Sequence, residues 1–181
     1  MLYGQKWSDP ALTRIGLSIV RQQFDNTMNQ LVITNVATYK AIALDAHKEM
    51  HEHINSGRRP KDDGSPGWII TFDPEQRSFK KAMISIVFTG MWLEALLHLL
   101  IVRDHGIEKF KEFDFKSYAE KMRSLGCSDQ RVLDAAEKFR KCRKELVHEK
   151  AHFDTGEIKT AQDEADNAHQ LLVAVDSLFV P

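Results

Sequence analysis

Twenty residues, Met83 to Val102, are apolar except for Ser85, Thr89, Gly90, Glu94 and His98. A run this long either spans a bilayer or forms the central buried helix of a bundle. Met83, Val87, Gly90, Glu94, Leu97 and Ile101 fall on one stripe at helical spacing. A carboxylate midway along a membrane span costs roughly 2.5–3.5 kcal/mol. The rest of the chain also patterns as amphipathic helices, so the run is read as a buried core helix with no membrane partner.

The surrounding sequence points to an all-α chain. Only 9 Gly and 5 Pro occur in 181 residues, too few for a many-turned β protein. A helical pattern begins near Pro10, capped by Ser8 or Asp9. It runs through Leu12, Ile15, Ile19, Val20, Met28, Leu31, Val32, Tyr39, Ile42, Met50 and Ile54, with a bend or break between Asn29 and Asn35. Residues 55–67 read as an exposed loop, and Trp68 to Phe72 as an extended apolar lead-in packed on the next helix. That helix starts at Asp73-Pro74-Glu75 and stops at Gly106. A short helix over about Phe115–Leu125 follows, then one capped by Ser128 and a last one from Thr160. The expected organisation is an N-terminal helical segment (1–57), a loop and lead-in (58–73), and an antiparallel helical bundle (74–181).

Charge narrows the partners. Lys and Arg total 25 and Asp and Glu 26, for a net charge of −1, so any anionic ligand must meet a local patch. The densest patch is Lys138-Phe-Arg-Lys-Cys-Arg-Lys144, with five cations and no anion. Within it Lys138, Arg140, Lys141 and Lys144 are candidate RNA- or nucleotide-binding residues. Arg143 presents a planar fork suited to phosphate oxygens, and His148, five residues on, can exchange a proton near neutral pH. RNA supplies its own nucleophile, the 2′-hydroxyl, so this pair can serve phosphodiester cleavage without a metal. On an ideal helix residues five apart diverge by about 140°, so the helix must end or distort for them to converge. Glu94, interrupting an apolar stripe, is either a cleft acid that orients Arg143 or His148 or a structural ion-pair partner.

Other chemistry is weakly signalled. His47 and His51 lie one turn apart, but Ala46-His-Lys-Glu-Met-His-Glu-His53 lacks the zincin order and reads as a polar helix end, so no metal or cofactor is expected. Cys127 and Cys142 are too few for a four-thiolate site, and two thiols in a chain of this size suit a reducing cytoplasm. Six acids against one base between Asp154 and Pro181 suggest that the last helix pairs with the basic one.

Arg143-Lys-Glu-Leu-Val-His148, preceded by a helix containing Leu93-Glu-Ala-Leu-Leu-His-Leu-Leu100 and followed by Phe153-Asp-Thr-Gly-Glu157 and a closing helix, resembles the HEPN domains (higher eukaryotes and prokaryotes nucleotide-binding). The likeness covers about Pro74 to Phe179. It implies a compact α-helical bundle marked by Arg, four to six residues, then His. It also implies a metal-independent endoribonuclease of the kind found in toxin–antitoxin pairs, phage defence and RNA processing. Its expected partners are a second copy, RNA or a nucleotide, and a cognate antitoxin. By position, Arg143 steadies the scissile phosphate and His148 moves the proton. Active members often carry Asn, Asp or His after the motif Arg, whereas here it is Lys144, which cannot accept a hydrogen bond. Other HEPN domains are non-catalytic nucleotide-binding or interaction modules.

Overall fold

The computed structural model describes residues 18–23, 29–71, 73–147 and 161–179. Among them the chain runs β1 (Ser18–Gln23), β2 (Asn29–Thr34), α1 (Val36–Ser56), β3 (Arg58–Pro60), β4 (Trp68–Ile70), α2 (Arg77–Phe113), α3 (Tyr118–Ser124), α4 (Gln130–Val147) and α5 (Ala161–Phe179). The all-α character holds for the body of the protein, with two short antiparallel strand pairs added to it.

The apolar run forms the bundle's axis. α2 packs against α1, α3, α4 and α5, most extensively against α1. By length and composition α2 could also cross a membrane, and 56% of its most apolar window is buried inside the fold. Ile86, Trp92, Leu93, Leu97 and Ile101 of α2 are fully enclosed, with Met50 of α1, Met122 of α3, Ala136 of α4, and Ala165, Leu172 and Val175 of α5. Each such Leu, Ile or Met contributes about 1.5–3 kcal/mol by leaving water.

Two regions depart from the sequence expectation. The helical extension before Asn35 is replaced, over its described part, by β1 and β2, an antiparallel pair in the register Ser18↔Thr34 to Gln23↔Asn29. This register sets Ile19 opposite Ile33 and Val20 opposite Val32. β-Branched residues carry a strand propensity that competes with the helix their spacing suggests, and a partner strand decides for the sheet. The stretch Asn29–Asn35, expected to bend or break a long helix, is instead strand β2 as far as Thr34, and α1 begins only at Val36, with the amide of Tyr39 donating to the Asn35 carbonyl (2.9 Å). The expected cap at Ser8 to Pro10 lies outside the described residues.

The second departure is the lead-in. Trp68–Ile70 is strand β4, paired with β3 in the register Arg58↔Ile70 to Pro60↔Trp68, and Trp68 and Ile70 are exposed instead of packed on α2. Between the strands Asp63 Oδ1 accepts from the Ser65 amide (3.0 Å) and hydroxyl (2.8 Å), the side-chain turn that Asp favours.

Helix ends follow local chemistry. α2 starts at Arg77, a few residues later than expected, and Asp73 Oδ2 accepts from the Ser78 amide (3.3 Å). Gly106 adopts φ 82°, ψ 172°, where a side chain is strained, and interrupts α2 as expected, yet the chain resumes helix to Phe113. α3 opens on a capping box: Ser117 Oγ accepts from the Glu120 amide (3.3 Å) and Glu120 Oε2 from the Ser117 amide (2.9 Å). Asp129, not Ser128, caps α4, its Oδ1 accepting from the Arg131 amide (2.9 Å).

Candidate active site

Arg143 belongs to the basic stretch by sequence but leaves it in space. On α4 the buried residues Leu133, Ala136, Phe139 and Cys142 define the inward face, and Arg143 extends from that face toward α2. Lys138, Arg140, Lys141 and Lys144 point to solvent, Arg140 held by Glu137 (3.0 Å). Arg143 alone is drawn in, its side chain 27% exposed.

Three residues on other elements receive it. The guanidinium lies over Gly90 of α2, so closely that a Cβ there would stand 2.6 Å from Arg143 Cδ and 2.7 Å from Cζ. Nη1 donates to the Tyr118 hydroxyl of α3 (2.9 Å). Glu94 Oε2, one turn after Gly90, is 3.7 Å from Nη1. The structure therefore brings Glu94 and Arg143 together. His148 lies outside the described residues.

The polar seam continues beside Glu94. His98 is the next residue on that face of α2, and Lys121 lies one turn after Tyr118 on α3. Lys121 is only 1% exposed, and its ammonium donates to the Asp114 carbonyl (2.9 Å) and to Nε2 of His98 (3.0 Å). An ammonium has no acceptor capacity, so His98 must offer a bare Nε2 and carry its proton on Nδ1. Burial, then the Lys121 charge, pushes His98 below its ordinary value of 6.5, against the pull of Glu94 and Asp114. Burial likewise pushes Lys121 down, with Glu94 and Asp114 opposing. Burial raises the Tyr118 phenol despite the Arg143 charge beside it, so it stays protonated and can orient a guanidinium.

The seam thus offers one half-buried, pre-oriented guanidinium with a carboxylate near it. The N–H groups not used by Tyr118 can meet an anion's oxygens. Tyr118 and Lys121 escape a reading of spacing because they join the site only through folding. Gly90 did carry a signal: a glycine within an otherwise strong helix costs about 1 kcal/mol relative to Ala and asks for a packing reason.

Two acids of α5 pair with α1. Asp176 pairs with Lys40 of α1 (2.6 Å) and Asp166 with His47 and His51 of α1, while Arg131, Arg140 and Arg143 pair with Asp129, Glu137 and Glu94. Lys138, Arg140, Lys141 and Lys144 of α4 are exposed. Comparison with family models, with curated proteins and with solved structures finds no match.

Proposed function

We propose that the protein is a HEPN-type, metal-independent endoribonuclease in which Arg143 holds the scissile phosphate and His148 handles the proton. The observation that carries this reading is the posture of Arg143: alone among the cations of its stretch it turns inward, seated over Gly90 and oriented by Tyr118. A guanidinium fixed before the anion arrives loses less freedom on binding it. The exposed Lys138, Arg140, Lys141 and Lys144 then supply a basic approach for the RNA backbone.

In the proposed reaction a base takes the 2′-hydroxyl proton and the 2′-oxygen attacks phosphorus. The bond to the 5′-oxygen breaks, and an acid protonates that oxygen. The products are a 2′,3′-cyclic phosphate and a 5′-hydroxyl. One imidazole cannot act as base and acid at the same instant, whereas two copies of His148 in a homodimer divide the roles. Glu94 is a positioning residue for Arg143 in this scheme. A toxin or phage-defence effector in the cytoplasm, restrained by an antitoxin, is the setting this reading implies.

A second reading, a non-catalytic nucleotide-binding or interaction module, is favoured by the Glu94 carboxylate 3.7 Å from Arg143, which offsets part of the charge a phosphate would meet. Cleavage of RNA in EDTA separates the two. Wild type should yield 2′,3′-cyclic phosphate ends, and His148→Ala should abolish them while still binding RNA. Nucleotide binding unchanged by His148→Ala, with no cyclic phosphate from wild type on any RNA, would establish the module and end the nuclease reading.

A further inference from the structure

A second cluster of reactive side chains lies away from Arg143, where α1 meets α5. His47 and His51 stand one turn apart on α1, and Asp166 reaches them from α5. Oδ1 of Asp166 is 2.8 Å from Nε2 of His47 and 2.7 Å from Nε2 of His51. One ligand atom from each residue therefore lies within 4.8 Å of the others, and this is the only such trio among the described residues. A third imidazole, His169, sits one turn after Asp166. Its ring stacks on His47 with centroids 4.0 Å apart and planes within 4°, and its buried Nδ1 has no hydrogen-bond partner.

We propose that His47, His51 and Asp166 bind a divalent transition-metal ion of the zinc class, tying α1 to α5 and leaving one coordination position facing an open cavity. Two imidazoles and one carboxylate form the donor set that Zn²⁺ and its neighbours prefer over the hard, all-oxygen cations. Zn–N and Zn–O bonds of about 2.0–2.1 Å require ligand atoms roughly 3.3 Å apart in a tetrahedron. The observed 2.7 and 2.8 Å must therefore open by about half an ångström, a change that side chains as exposed as His51 (42%) and Asp166 (40%) can make by small rotations. His47, 15% exposed and stacked on His169, is the anchored ligand.

The cavity gives the site access. It measures about 1000 Å³, and His51 and Asp166 are on its wall with Arg58, Ile70, Asp73 and Arg77. A three-ligand ion at its edge keeps a place for water or an anionic group, the arrangement of an exchangeable site and not of a closed structural one. Strand β4 supplies Ile70 to this wall, so the hairpin shapes the entrance.

The test uses the full chain, stripped with EDTA and dialysed, titrated with Zn²⁺ by calorimetry and with Co²⁺ by visible absorption. Wild type should bind one equivalent and show the strong ligand-field bands of low-coordinate Co²⁺. His51→Gln and Asp166→Asn should each weaken binding at least tenfold, with circular dichroism confirming the helical fold. His148→Ala and His105→Gln should bind as wild type does. Absence of stoichiometric binding by wild type would overturn the proposal, and so would affinity unchanged in both His51→Gln and Asp166→Asn.

Discussion

Replacing Gly90 with Ala separates the stability of the bundle from the posture of Arg143. In a helix interior the change favours folding by about 0.8–1 kcal/mol through propensity alone. The new methyl, however, occupies the seat of the guanidinium, 2.6 Å from Cδ and 2.7 Å from Cζ. The obstructing atoms belong to the far end of a flexible side chain, so Arg143 swings toward solvent and the backbone stays. That forfeits the Tyr118 hydrogen bond, worth about 1.5–3 kcal/mol for a charged donor and less here because water replaces it readily. The net destabilisation is therefore about 0–2 kcal/mol, readable by urea denaturation. Cleavage should fall by about 100-fold, the scale for losing one oriented donor to a transition-state anion, matching Arg143→Ala. The double variant Gly90→Ala/Arg143→Ala should be no less active than either single change and more stable than Arg143→Ala by about 1 kcal/mol. Wild-type cleavage by Gly90→Ala would refute the seat as functional. A loss of stability above about 3 kcal/mol would show that the guanidinium cannot move, refuting the steric reasoning.

Tyr118→Phe keeps the ring stacked near Phe139 but removes the hydroxyl, so a thermal melt should show a loss of about 1 kcal/mol and cleavage should drop with KM rising more than kcat falls. His98 is held below 6.5 by burial and then by Lys121, so below that pH the unfolded ring takes up a proton that the folded ring refuses. Stability should therefore decline as pH falls from 6.5 toward the depressed folded value. In Lys121→Met, NMR titration should find His98 closer to 6.5, with a shallower loss of stability in acid. Arg140→Ala/Lys144→Ala should lower the slope of log affinity for single-stranded RNA against log salt by about 1.4, at about 0.7 per phosphate contact, and an unchanged slope would remove these cations from the RNA interface.

What could be read from the chain was what is local. Apolar residues at three- and four-residue steps revealed α2, α4 and α5, because a helix is built from contacts within a few residues of each other. The interruption at Gly106 was legible for the same reason, although the helix resumes beyond it, and the cap of α4 falls on Asp129, one residue after the Ser128 that the sequence offered. The first hairpin was not legible: Ile15, Ile19 and Val20 satisfy a helical template, and only pairing with Val32 and Ile33 decides for strand. The exposed β4 escapes a local reading because its partner, Arg58–Pro60, lies across a polar loop.

The functional groups divide in the same way. Sequence by itself determined that a guanidinium stands in a cation-rich helix and that two imidazoles share a helical face, since both facts need only residue types and a 3.6-residue turn. Tertiary packing decided that Arg143 faces inward over Gly90 while its neighbours face water. It also brought Asp166 to His47 and His51 from more than a hundred residues away. Spacing along a chain carries no information about which distant helix will fill a groove. That choice is made by the burial of α2, around which every other helix must arrange its polar edges.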